Sequence, residues 1–309
     1  MILCIGEILV DLIGKEVNGR TSYDVFAGGA PFNVACGIKN FGGNVIFIGN
    51  VGDDIMGRFL LDFANKRSFD KLLISLDQEH NTTLAFVKND EDGERSFCFH
   101  RKNTADYFFN TDYFAEIENA DIVHVGTLML SNEEGRKMAD LIIETTKKSG
   151  KLLSLDINFR DDIYKSKEEA IKVYQHYASK ADIIKYSLDE LQLFSSKHDI
   201  YQALNEIAKP NQLVFLTLGK EGSLCYYNQN VVKSHSIKVM SVDTTGAGDA
   251  FYGAILSQLD RIGFENFVKD KNVIKEVLRF ANLTGALTTT KKGAIDALPT
   301  LEEINTFTK

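Results

Sequence analysis

Short runs of Val, Ile and Leu recur along the chain, and between them the apolar residues fall at helical spacing. NVIFIGNVG (44–52), ADIVHVGTLML (120–130), KLLSLDINFR (151–160), ADIIKYS (181–187) and QLVFLTLG (212–219) read as strands, and the opening MILCIGEILVDLIG reads as a first strand. EEGRKMADLIIETTKKSG (133–150) and KEEAIKVYQHYASK (167–180) read as helices. The alternation predicts an α/β fold, a mostly parallel central sheet covered by helices on both faces. In such sheets ligands sit beyond the carboxyl ends of the strands. Polar or glycine positions stand there: Asp156, Asn158 and Arg160 after one run, Thr217 and Gly219 after another.

Two segments break the rhythm. Residues 13–27 and 81–109 read as extended, and the second contains a turn, NDEDGE, between alternating runs, which is a hairpin signal. Together they form a small β lid over the ligand edge, leaving 1–12, 28–80 and 110–309 as the core. The alternative is a pair of surface hairpins with no gating role.

Composition narrows the class. The chain has 309 residues, 44% hydrophobic and 25% charged, with a formal net charge of −8, enough to bury a sizeable core without offering a basic stripe to a polyanion. Nucleic acid is therefore not an expected partner. Cys4, Cys36, Cys98 and Cys225 lie far apart, so they read as free thiols in a reducing, cytoplasmic compartment. The apolar start carries Glu7 and Asp11 and lacks a basic region, so it is not a signal peptide. No run approaches the roughly 18 apolar residues of a membrane helix, so no membrane is expected.

SVDTTGAGDAFYGAIL (241–256) concentrates Thr, Gly and Asp and then turns apolar. It lacks the lysine that a P-loop carries after its second glycine. As a dinucleotide fingerprint it supplies Gly246 and Gly248, but Gly253 comes two positions late and the stretch lies far from the first βα unit. A helix through AGDAFYGAILSQL, capped by Thr245 or Gly246, would leave the N–H groups of Ala247, Gly248 and Asp249 pointing out of its first turn, where they attract an anion. The helix dipole favours the charged form of Asp249. That carboxylate could deprotonate a hydroxyl attacking a phosphoryl group held by the N–H groups, or simply cap its own helix.

DTTGAGDAFYGAIL resembles the C-terminal signature of the PfkB, or ribokinase-like, family of carbohydrate kinases. GGAPFNVACGIKNFGGNVIFIGNVGDDIMGRFL (28–60) resembles the N-terminal one, and the resemblance extends over essentially the whole chain. DGERSFCFHRKNTAD and the Ala30-Pro31 pair most resemble fructokinases within it. The resemblance implies a ribokinase-like fold and ATP-dependent phosphorylation of a sugar primary hydroxyl. Asp249 is then the base, and the N–H groups of Gly246, Ala247 and Gly248 form the anion hole. Phosphoryl transfer depends mainly on positioning and charge stabilisation, so one carboxylate, a dipole and a metal suffice.

The resemblance also places the sugar against Asp11, Gly28, Gly29 and Asn33, although AGGAPFN by itself is only a turn before a helix with Pro31 near its first position. Arg160 matches a position near the sugar or the phosphate; the plainer reading is an ion pair with Asp161 or Asp162. Thr217, Gly219 and Gly222 match the triphosphate and ribose segment, which alone reads as a hairpin turn. Asn282, Gly293 and Ala294 match the adenine pocket. In YSLDE, Ser187 stands on the nucleotide side where most of the family has Asn. Glu190 then either organises waters on Mg²⁺ or closes a capping box. A K⁺ ion near the loop of Asp243 and Thr245 is also implied.

Fructose is the expected sugar, giving D-fructose 6-phosphate. Phe97, Phe99 and Arg101 alternate along one lid strand toward it, or serve lid packing or a dimer contact. Arg101 could instead pair with the carboxylate of 2-keto-3-deoxygluconate, although Phe99 lacks the hydroxyl expected for that substrate. A kinase-like protein that binds sugar without catalysis is the alternative from another class. A homodimer through the lid is expected.

Overall fold

The computed structural model describes residues 1–89 and 95–307, with residues 88, 89 and 95–97 described by their backbone alone. In chain order the strands are β1 (Ile2–Ile5), β2 (Leu9–Val17), β3 (Arg20–Gly28), β4 (Val45–Gly52), β5 (Lys71–Asp77), β6 (Leu84–Asn89) and β7 (Arg95–His100). They continue with β8 (Ile122–Val125), β9 (Leu152–Asp156), β10 (Ile183–Ser187), β11 (Leu213–Thr217), β12 (Ser223–Tyr227) and β13 (Asn230–Ser234). Nine form one sheet in the order β13-β12-β11-β10-β9-β8-β1-β4-β5, parallel except that β12 runs antiparallel to both of its neighbours. The other four form a small sheet in the order β3-β2-β6-β7.

The central strands are apolar on both faces because both are covered. Ile2 and Cys4 of β1 pack with α1 (Ala30–Asn40), α7 (Ala247–Ile262) and α9 (Lys271–Thr288), whereas Leu3 and Ile5 pack with α3 (Glu133–Lys148) and α4 (Lys167–Ala178). The helix boundaries follow local chemistry. The Asn132 side chain caps α3, with Glu133 and Glu134 in the first turn and Lys147 and Lys148 in the last, and Ser166 caps α4. Among the described residues no helix is long and apolar enough to cross a membrane.

Two strand readings need correction. MILCIGEILVDLIG is two strands in different sheets, parted at Gly6, where a Cβ would stand 2.5 Å from Pro31 Cγ. The bare backbone lets the chain pass under the start of α1 and leave the large sheet, which apolar pattern alone does not reveal. ADIVHVGTLML is strand only to Val125, and Leu128–Ser131 forms a 3-10 turn beyond it. The small sheet begins at Leu9, and its β6–β7 pair is antiparallel; the intervening residues 90–94 of NDEDGE lie outside the described residues. Phe109, Phe114 and Ile117 pack in the core of the large sheet, beyond the small one.

Candidate active site

Strands β9, β10 and β11 end side by side, with Lys185 opposite Asp156 and Ser187 opposite Thr217. Their carboxyl ends, the start of α7 and the inner face of the small sheet enclose a cleft of about 660 Å³. Into it the fold brings Asp11, Gly29, Asn33, Phe99, Arg160, Ser187, Glu190, Thr217, Thr245, Gly246, Gly248 and Asp249, residues drawn from seven separated stretches of sequence. Asp11 and Phe99 reach it from the same face of the small sheet, since Asp11 stands level with Ala85 and Ala85 with Phe99.

Helix α7 starts as the glycine pattern requires. Gly246 is the N-cap in the left-handed region, φ 74°, and no side chain caps the helix. The Thr245 hydroxyl donates instead to Asp243 Oδ1 at 2.7 Å, so Thr245 is not the cap. A Cβ on Gly246 would stand 2.6 Å from Ala294 Cβ, which explains why the KKGA loop follows it in space. The Ala247 N–H donates to the Thr244 carbonyl at 3.3 Å, while Gly246, Gly248 and Asp249 face the cleft.

Burial pushes the Asp249 carboxyl up to about 6, and repulsion from Asp156 adds to it; the Asn33 hydrogen bond, Lys185 and Arg160 act against both. The helix end that favours the Asp249 anion is therefore opposed by loss of water, and the carboxyl still stays ionised at neutral pH. Asn33 Nδ2 donates to Asp249 Oδ2 at 2.8 Å, and Asn33 Oδ1 is buried without a hydrogen-bond partner.

Beneath the start of α7 lies a buried ion pair that pattern reading missed. Lys185 Nζ bonds both Asp156 oxygens, at 2.6 and 2.7 Å, and would stand 3.5 Å from a Cβ on Gly248. A lysine inside an otherwise apolar parallel strand was the signal. Glu7, Asn158 and Thr244 also line the cleft.

Several expected residues have other partners. Arg101 lies beyond the end of β7 and turns inward: its guanidinium bonds Asp106, the Leu128 carbonyl at 2.8 Å, Ser131 and Tyr107, which removes it from the cleft. Gly28 and Gly29 are required by the chain's own packing, since Cβ atoms there would stand 2.2 Å from Asp11 Oδ2 and 2.4 Å from the Glu7 carbonyl. The Asn282 amide donates to the Ser234 and His235 carbonyls, fixing the end of β13. Gly222, φ 106°, lies against the Ser234 carbonyl in the hairpin between β11 and β12. Gly219 is open on its Cβ side, and the Gly293 N–H donates to Asp243 Oδ2 at 2.9 Å. The Phe97 side chain lies outside the described residues. Glu190 does close the capping box with Ser187, and its second oxygen accepts from the Phe159 N–H at 2.8 Å.

Comparison with known proteins agrees along the whole chain. The model of the pfkB family carbohydrate kinase matches residues 1–301. A probable fructokinase-2 of Arabidopsis thaliana is 37% identical over 317 residues, covering 100% of this chain and 96% of its own length. The crystal structure of a Xylella fastidiosa fructokinase with bound ATP has a TM-score of 0.87 at 30% identity, covering 99% of this chain and 97% of that one. A Vibrio cholerae fructokinase in its fructose, ADP and calcium ion bound form has a TM-score of 0.87 at 32% identity, covering 100% and 98%. With both signatures folded onto one cleft and the match spanning the two sheets, the chain belongs to the pfkB family of carbohydrate kinases.

Proposed function

We propose that the protein transfers the γ-phosphoryl group of ATP to the primary hydroxyl of D-fructose, giving D-fructose 6-phosphate. The observation that carries this reading is Asn33, whose Nδ2 holds Asp249 while its buried Oδ1 lacks a donor. A sugar hydroxyl can donate to that oxygen and lie beside the base. Asp11, Gly28 and Gly29 form the sugar end with Phe99 and Arg160. Thr217, Gly219 and Gly222, with Asn282, Gly293 and Ala294, form the nucleotide end.

Asp249, raised to about 6, is ionised at neutral pH yet basic enough to accept the hydroxyl proton as the oxygen attacks. The N–H groups at Gly246 and Gly248 face the charge that develops on the phosphoryl oxygens, whereas that of Ala247, expected with them, is held by the Thr244 carbonyl. Lys185, beside Gly248, adds positive charge there. Among the described residues no three His, Cys, Asp or Glu side chains form a metal site. A Mg²⁺ ion would instead be carried by the nucleotide phosphates, and Glu190, with Ser187 beside it on the cleft wall, would order its waters. Bound there, the ion would neutralise phosphate charge. Asp243, which ties Thr245 to Gly293, would supply the anionic group for a monovalent cation at that loop.

The withdrawal of Arg101 favours fructose over 2-keto-3-deoxygluconate, because a sugar-acid carboxylate loses its lid cation. Intact Gly246, Gly248 and Asp249 favour catalysis over sugar binding alone. The small sheet acts as the lid. Its outer face, with Tyr23 46% and Val25 41% exposed beside Phe86, supports a homodimer through it. Four free cysteines support a reducing, cytoplasmic location. An ADP-release assay over fructose, 2-keto-3-deoxygluconate, ribose, mannose and adenosine tests the reading: turnover greatest with fructose supports it, and no turnover with any sugar overturns it.

A further inference from the structure

Two buried charged residues, Glu7 on the cleft wall and Arg101 beside it, take no part in that chemistry. Glu7 is 2% exposed and Arg101 6%. Glu7 stands at the crossing from β1 to β2, and its carboxyl faces the N–H of Ala30, the first residue of α1, closely enough to favour its anion. Gly29, the N-cap of that helix, has no side chain to do so. Glu7 Oε2 is buried with no hydrogen-bond partner, packed where a Cβ on Gly126 would stand 2.6 Å away. Arg101 stands at the opposite crossing, where β7 leaves the small sheet. Asp106 Oδ2 accepts from its Nε at 2.8 Å and its Nη2 at 2.6 Å, and its guanidinium carbon lies 3.9 Å from the Tyr107 ring centroid. Asp106 Oδ1 accepts from Thr83, just before β6, at 2.6 Å and from Thr104 at 2.7 Å. The stretch from Gly126 to Leu128 links the two crossings: a Cβ on Gly126 would stand 2.6 Å from Glu7 Oε2 and 2.8 Å from Pro31 Cγ in the first turn of α1, and the Leu128 carbonyl accepts from Arg101 at 2.8 Å.

We propose that Arg101 and Glu7 are positioning residues that couple the end of the lid strand carrying Phe99 to the first turn of the helix carrying Asn33, so that both reach the sugar together. The arrangement is costly unless each charge is compensated: Asp106 balances Arg101, and nothing equivalent is left for an ionised Glu7. Burial accordingly lifts the Glu7 carboxyl to about 8, with Arg101 opposing and Asp106 reinforcing the shift; Tyr107 is the remaining titratable group facing it. Glu7 thus carries its proton at neutral pH, and losing it places a second anion beside Asp106 and under α1.

The proposal rests on the sugar site assigned above, and the test separates the two. Arg101→Lys keeps the charge and loses the fork. Its sugar KM should rise about tenfold, the scale of one or two lost buried hydrogen bonds, with the ATP KM nearly unchanged. Amide exchange, measured on the full chain without substrate, should quicken in β2, β3 and β6 and stay constant in α9. Unchanged exchange and sugar KM, or a uniform quickening through both sheets, would overturn the coupling. If the wild type phosphorylates no sugar, the functional reading fails and the exchange result still decides the coupling. For Glu7, the wild-type sugar KM should rise as pH passes about 8 while the ATP KM does not. Glu7→Gln should flatten that rise, and its persistence in the variant would remove Glu7 from the proposal.

Discussion

Asn33, in the first helix, donates its side-chain amide to the Asp249 carboxylate at 2.8 Å although 216 residues separate them. The bond joins the sugar end of the cleft to the start of α7, so it ties substrate position to the state of the base. Asp249→Asn should lower kcat by about 10²–10⁴-fold, the usual weight of a general base, with the fold retained. Steady-state kinetics with a melting curve decides it; wild-type kcat in this variant would sink the assignment.

Asn33→Ala removes a hydrogen bond that holds the Asp249 carboxyl down. That carboxyl should then titrate above its value of about 6, and the acid limb of the kcat/KM profile should move to higher pH. An acid limb that stays in place would show that some other group controls it.

Lys185→Met strands Asp156, a buried carboxylate only 4% exposed, and should destabilise the protein by about 3–5 kcal/mol. Adding Asp156→Leu should restore most of the stability but not the activity. Urea unfolding beside kinetics separates the two roles, and recovery of both would make the pair purely structural.

Gly246→Ala places a Cβ at φ 74° and within 2.6 Å of Ala294 Cβ. The left-handed conformation alone costs about 1–2 kcal/mol. The chain should relieve the contact by moving the start of α7, so kcat should fall more than thermal stability does.

Glu7 should make folding stability pH-dependent. Its carboxyl in the folded chain titrates near 8, above its ordinary 4.5, so the folded state holds the proton more tightly. The resulting stability is complete below 4.5 and is lost as pH rises through about 8, at on the order of 1 kcal/mol per pH unit between them. Glu7→Gln should remove that slope from the urea midpoint plotted against pH.

The alternation of two-faced apolar runs with amphipathic helices determined the parallel sheet, because β9, β10 and β11 are buried on both sides and had to be mostly apolar. Local chemistry likewise determined the start of α7: a left-handed Gly246 and a carboxylate in the first turn are properties of a few adjacent residues. Ser187 and Glu190 also spelled their own capping box. What lies far apart in sequence was decided only by the tertiary structure. The direction of Arg101 depended on Asp106, Leu128 and Ser131 waiting beneath β7, and strand alternation pointed it the wrong way once the strand ended at His100. The split of the first strand at Gly6 depended on Pro31 lying above it. Lys185 became intelligible only when β10 settled beside β9 and set it opposite Asp156. The Asp249 carboxyl took its level from burial and from Asp156, Asn33 and Lys185, groups that only packing brings within reach of one another.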